Sequence, residues 1–179
     1  MSTNEGKLNQ NPEKFFLGAQ ILLRTLTTAA TIIATWMVFT SKQSVEIIGM
    51  IFDARYSYSP AVKFYAMANA IVCAFSAISL FFVFFLRRQF YKPANYFFLF
   101  LHDLLMVLFL MAGCAAATAI GYVGKYGNEH TGWLPICDHF HKYCKRLTTS
   151  MAFSYFAVFL FLILTILSAT KSKQIQVYN

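Results

Sequence analysis

Charge is scarce in this sequence. Only 12% of its 179 residues are Asp, Glu, Lys or Arg, whereas a water-soluble domain carries roughly 25%. With 58% hydrophobic residues and a mean hydropathy of +0.54, too little polar surface remains to cover a globule in water. The charges also bunch in short stretches between long apolar runs, which leaves no room for a soluble domain beside a membrane domain. Acidic residues are scarcest, seven against fifteen lysines and arginines. The resulting net charge of +8 does not lead to nucleic acid, because the basic residues form no continuous stripe with interleaved aromatics. They sit beside apolar runs, where residues meet lipid headgroups.

Other absences narrow the chemistry. A quinone-coupled disulfide oxidase needs a Cys-x-x-Cys pair near the membrane, and none occurs; Cys73 and Cys114 are isolated in apolar runs. A transmembrane haem protein needs paired histidines inside helices, and only His102 lies in such a run. No Ser/His/Asp constellation or pair of catalytic carboxylates is visible. We therefore expect no catalytic residues, no cofactor and no metal. The first sixteen residues are polar and the first apolar run is too long for the core of a signal peptide, so insertion through the chain's own helices is expected. No Asn-x-Ser/Thr sequon occurs.

What is present is four apolar runs, at 17–39, 61–86, 96–123 and 147–169. A hydrocarbon core of about 30 Å needs about 20 helical residues, so each can span. The fold class is all-α: a four-helix transmembrane bundle over 17–169, with tails at 1–16 and 170–179. The first run is the least apolar, containing Gln20, Arg24 and five threonines. Its alternative is an amphipathic helix lying on the membrane surface.

An even number of spans puts both termini on one side. Counting Lys and Arg gives seven on each side, so the positive-inside rule is tied. Two features break the tie. The connector from Arg87 to Tyr96 places Arg87, Arg88 and Lys92 directly against membrane ends. The 124–146 loop carries Cys137 and Cys144, which suit an oxidising side. Both termini and the 87–95 loop are therefore expected in the cytoplasm, and loops 40–60 and 124–146 outside.

Arg24 and Asp103 are ionisable residues inside apolar runs, where an unpaired charge costs at least about 2.5–3.5 kcal/mol. Each lies seven residues into a span that begins at the same face, so both side chains sit roughly 10 Å deep. Opposite charge at equal depth predicts a buried Arg–carboxylate pair fixing helix one against helix three. The alternative is an arginine that snorkels to the headgroups beside a protonated Asp103. A proton relay would need further ionisable groups. His102 is expected on another face, and Asn69 is the only other strongly polar candidate, so a relay does not continue.

Small residues recur at four-residue intervals, Gly113, Ala117 and Gly121 in the third run and Ala66, Ala70 and Ala74 in the second. Such stripes let helix backbones approach closely, within the bundle or between subunits. In the second outer loop, Cys137 and Cys144 read as a disulfide closing a small loop, behind Trp133. The same stretch reads Cys-x-His-x-His-x-x-Cys, four potential zinc ligands. That spacing is not a standard zinc-finger pattern, and extracellular thiols tend to oxidise.

Taken together, these pieces resemble the plant Casparian strip membrane protein-like (CASP-like) family over about Phe16 to Thr170. The matching residues are Arg24; Asp103 in Leu-His-Asp-Leu; Phe-Asp-Ala-Arg-Tyr-Ser-Tyr-Ser-Pro-Ala from Phe52; Ala-Asn-Ala-Ile-Val-Cys from Ala68; Trp-Leu-Pro-Ile-Cys from Trp133; and Tyr143-Cys144. The resemblance implies a multi-pass plasma-membrane protein, distantly like the MARVEL proteins. It implies homo-oligomers, dimeric or higher, and hetero-oligomers with family members. In the founding members such scaffolds mark a fixed membrane domain and recruit wall-modifying, lignin-forming enzymes. Their first outer loop, rich in Glu, Thr, Phe and Gln, is replaced here by Ser-Lys-Gln-Ser-Val-Glu-Ile-Ile from Ser41. That departure favours the broader CASP-like group. The expected function is a non-enzymatic membrane scaffold whose partners include the lipid bilayer and other copies. The rival is a pore or transport subunit built on Arg24 and Asp103.

Overall fold

A computed structural model describes residues 5–47, 49–85 and 93–178. Four long helices dominate it: α1 (Glu5–Phe39), α2 (Pro60–Phe85), α3 (Pro93–Tyr126) and α4 (His141–Tyr178). Each contains a stretch long and apolar enough to cross a membrane, within 15–39, 60–85, 95–126 and 141–174. The helices pack in a square, α1 against α2, α2 against α3, α3 against α4, and α4 back against α1. The start of α1 and the end of α4 lie at one end of the bundle, where the Lys171 ammonium sits over the Phe16 ring. Leu86 and the cationic connector residues Arg87, Arg88 and Lys92 fall outside the described residues.

The helical ladders run past the expected apolar runs. α1 begins in polar sequence, and α4 continues through Lys171 and Lys173. Hydropathy marks the part of a helix that lipid must solvate, whereas the backbone ladder stops only at a breaker or a cap.

The packing has an explicit repeat. Buried residues fall at 20, 24, 27, 31, 34, 38 and 41 from the start of the first span, and at 62, 65, 69, 72, 76, 79 and 83 along α2. They fall at 96, 99, 103, 106, 110, 113 and 117 along α3, and at 143, 147, 150, 154, 157, 161, 164 and 168 along α4. Alternating steps of three and four residues are the 3.5-residue repeat of helices that stay in register at small crossing angles. The seam is unusually polar, with Gln20, Arg24, Thr27 and Thr31 on α1 and Ser150, Ser154 and Ser168 on α4 all buried. Large apolar side chains such as Leu22, Ile32, Phe82 and Phe98 point outward. This inverts a soluble bundle, as lipid contact requires.

The surface-helix alternative for α1 therefore does not hold, since its polar face is the packed one. Its five threonines carry no penalty in lipid. Thr25, Thr27, Thr28, Thr31 and Thr35 each donate to the carbonyl four residues back, at 2.7–3.1 Å.

The two loops expected outside meet at the other end of the bundle. The 40–60 segment, expected as a loop, holds a hairpin of β1 (Lys42–Ile47) and β2 (Met50–Arg55), antiparallel with Lys42 opposite Arg55 and Ile47 opposite Met50. Gly49, at φ 75°, supplies the left-handed residue of its tight turn. The hairpin is held to α4 by Gln43, whose amide oxygen accepts the Tyr143 backbone N–H at 2.9 Å, satisfying an otherwise orphaned donor of the helix's first turn. Arg146 also donates to the Thr40 carbonyl at 2.9 Å.

Candidate functional site

Arg24 on α1 and Asp103 on α3 stand on opposite corners of the square. Their seam positions aim both side chains at the bundle axis, and an arginine is long enough to cross it. Nη1 donates to Asp103 Oδ1 at 3.0 Å and Nη2 to Oδ2 at 2.6 Å, a bidentate fork that suits guanidinium and carboxylate. Nη1 also donates to Ser79 Oγ on α2 at 2.5 Å. Arg24 is 1% exposed and Asp103 is fully buried. Arg24 Nε, also buried, has no hydrogen-bond partner among the described residues. Three helices thus share one charge pair. α4 joins a turn nearer the termini, where Gln20 Nε2 donates to Ser168 Oγ at 3.1 Å.

His102 corrects an expectation. The sequence puts it on another face of the helix, yet its Nδ1 lies 3.1 Å from Asp103 Oδ1. Adjacent residues on a helix diverge by about 100°, but Nδ1 is close to the backbone and swings toward the neighbouring carboxylate. The imidazole is partly exposed beside the Phe75 ring.

A second polar assembly crosses the other diagonal. Tyr65 on α2 reaches α4, its hydroxyl 2.9 Å from Ser150 Oγ and 2.7 Å from Ser154 Oγ. Ser154 bonds the Asn69 side-chain oxygen at 2.7 Å, and Ser150 donates to the Ala34 carbonyl of α1 at 2.7 Å. Ala34 is ten residues beyond Arg24, so the two assemblies lie about 15 Å apart along the bundle. Thr28 and Ser76, 2.8 Å apart, make a rung beside the first. Buried Val72, Leu110 and Phe161 belong to the apolar core.

Sequence reasoning named Asn69 but missed Ser76, Ser79, Tyr65, Ser150 and Ser154. Their signal was present as hydroxyls at three- and four-residue spacing inside apolar runs.

The small-residue stripes divide. Gly113 is buried against α2; a Cβ there would lie 3.0 Å from Ala68 Cβ and 3.4 Å from Tyr65 Cα. Ala66 and Ala117 are buried, Gly121 and Ala70 are partly exposed, and Ala74 faces outward. The residue meeting Gly113 is Ala68, outside the stripe expected on α2.

In the second loop, Cys137 and Cys144 form a disulfide, with Cα atoms 5.7 Å apart. Both sulfurs are thereby removed from the zinc set, and among the described residues no group of three metal-ligating side chains comes together. Trp133 is exposed and pairs its backbone with Asn128 in an isolated bridge. On the hairpin, Asp53 accepts from the Tyr58 hydroxyl at 2.9 Å and from Arg55 at 2.7 Å. The Tyr58 bond, with help from Arg55, holds the Asp53 carboxyl below its ordinary range, and the same bond raises the Tyr58 phenol.

Comparison with known proteins shows what the chain is similar to. The Casparian strip membrane protein domain matches residues 13–160. CASP-like protein 1F2 of Populus trichocarpa is 53% identical over 99% of this chain and 100% of its own length. CASP-like protein 1F1 of Vitis vinifera is 54% identical over 99% of this chain and 88% of its own. CASP-like protein 1F1 of Arabidopsis thaliana is 38% identical over 97% and 98%. No solved structure matches.

Proposed function

The chain belongs to the family defined by the Casparian strip membrane protein domain, and on that premise we propose that it is a non-enzymatic scaffold of the plasma membrane. In this reading it self-associates, joins related family members, organises a membrane domain and recruits cell-wall-modifying proteins. Both termini face the cytoplasm, and the hairpin and disulfide loop project outside.

The observation that carries the reading is how the buried polar groups are used. Arg24, Asp103 and Ser79 join three helices, and Tyr65, Asn69, Ser150 and Ser154 join α2 to α4 across the other diagonal. Groups engaged in fixed bonds between helices brace a rigid element. Carriage of ions or protons calls instead for exchangeable sites in series. Rigidity suits a scaffold, because a fixed outer surface lets contacts repeat from copy to copy.

The intramembrane charge pair and the unpaired Arg24 Nε support the second reading, a transport subunit. Mass measurement after purification in mild detergent, followed by conductance in liposomes, separates the two. The scaffold predicts oligomers without conductance; a strictly monomeric, conducting product would sink it. Proximity labelling in the native membrane then identifies the recruited proteins.

A further inference from the structure

At the end of the bundle that carries the loops, α3 and α4 part to leave a lateral groove of about 580 Å³. Its deeper part is apolar, with Gly121, Leu147 and Met151 as floor. Gly121 leaves a notch there, since a Cβ would meet nothing nearer than Met151 Cε at 3.6 Å. Its mouth holds Lys125, His141 and Lys145, and the Cys137–Cys144 disulfide forms part of the wall. Lys125 is one helical turn beyond Gly121, about 6 Å nearer the loops. None of the lining side chains is a carboxylate, and among the described residues neither lysine takes part in a salt bridge.

We propose that this groove binds an anionic phospholipid, its headgroup phosphate at Lys125 and Lys145 and an acyl chain over Gly121 and Met151. The groove has a cationic end and an apolar end, arranged along the bundle axis as a lipid is arranged along the membrane normal. Tyr122 and Tyr126 flank it where aromatic side chains meet headgroups. The Lys125 ammonium rests over the Tyr126 ring at 5.0 Å, which presents the charge beside the groove. Charge complementarity selects the lipid class: with the loops outside, two ammonium groups with no carboxylate among them favour an outer-leaflet headgroup with net negative charge. The inference does not depend on the scaffold reading, because the groove belongs to a single copy.

The test is native mass spectrometry of the full-length protein from micelles holding equal phosphatidylglycerol and phosphatidylcholine. Phosphatidylglycerol should be retained roughly tenfold or more over phosphatidylcholine. The K125Q/K145Q variant should lose that preference, and Gly121→Leu should reduce retention of both lipids by filling the floor. The K42Q/K63Q variant removes two exposed lysines that do not line the groove and should behave as the parent. Equal retention of the two lipids by the parent would overturn the proposal. So would an equal loss in K42Q/K63Q, which would indicate surface charge alone. Displacement of lipid by free glycerol phosphate would assign the site to a soluble anion, and a dimer that excludes lipid would assign the groove to a second copy; either outcome rejects it.

Discussion

Replacing Asp103 by Ala leaves Arg24 in place with its charge unmatched. Arginine cannot shed its proton, so the penalty cannot be relieved by titration. The side chain is 1% exposed and loses both bonds of the fork, keeping only Ser79. Removing one partner of a buried pair costs about 3–5 kcal/mol, and this variant should fall in that range. Arg24→Met should cost less, because Asp103 keeps its contact with His102 at 3.1 Å. Ser79→Ala removes one bond to a charged group, about 1.5–3 kcal/mol. The double variant Arg24→Met/Asp103→Leu removes both charges and should be milder than Asp103→Ala alone. The exchanged pair, Arg24→Asp with Asp103→Arg, should recover part of the loss. Equilibrium unfolding in mixed micelles, followed by far-ultraviolet circular dichroism, gives the double-mutant cycle. Additive single effects, or an exchanged pair no better than either single variant, would refute the idea that the Arg24–Asp103 pair braces α1 against α3.

Gly113→Leu should destabilise by about 1–3 kcal/mol or more in the same unfolding assay, because Ala68 and Tyr65 already touch the position; Ala74→Leu, facing outward, should be neutral. Replacing Cys137 and Cys144 by serine opens a loop of about eight residues, worth about 2–3 kcal/mol by chain entropy. Insertion and helical content should survive while localisation or outer contacts weaken. Thiol labelling before and after reduction checks the premise, and full reaction without reductant would contradict it. The Asp53–Tyr58 contact should have a bounded pH window: the lowered Asp53 contribution is present above the ordinary carboxylate range and is lost as pH falls through the folded value. The raised Tyr58 contribution is present below the ordinary phenol value and is lost as pH rises through the folded one. Carbon-detected titration of Asp53 should show the lowered midpoint, and Tyr58→Phe should move it upward.

The spans were legible because the hydrocarbon core imposes a length and penalises charge. Arg24 and Asp103 were legible for the same reason, since a charge stands out against an apolar run and depth follows from the rise per residue. The hairpin was not. Met50, Ile51 and Phe52 are all exposed on β2, so no face is apolar enough to impose alternation. Its anchor is Gln43 on Tyr143, residues 100 positions apart, which no local pattern reveals. The remaining cue was Gly49 between two short runs, and a lone glycine fits any loop.

The second diagonal strut was hidden for a different reason. In water, a seam is found by looking for apolar residues at three- and four-residue steps, and polar residues mark the outside. Lipid reverses the outer face, so hydropathy sees Phe82 and Ser79 only as members of one apolar run. Yet Ser76, Ser79, Ser150, Ser154, Thr27 and Thr31 keep the seam spacing, and each is buried. A hydroxyl in hydrocarbon must find an acceptor, either four residues back or on another helix. Thr31 takes the first course and Ser154 the second, donating to Asn69 Oδ1 at 2.7 Å. Which helix is reached depends on side-chain length. Serine and threonine pairs bridge neighbours, as Thr28 and Ser76 do, whereas the opposite corner is reached by a longer side chain, Arg24, Tyr65 or, toward Ser154, Asn69. A square of four helices can shear while every neighbour contact persists, and only its diagonals resist. Arg24 and Tyr65 supply them at two levels, which accounts for the longest polar side chains lying at the axis.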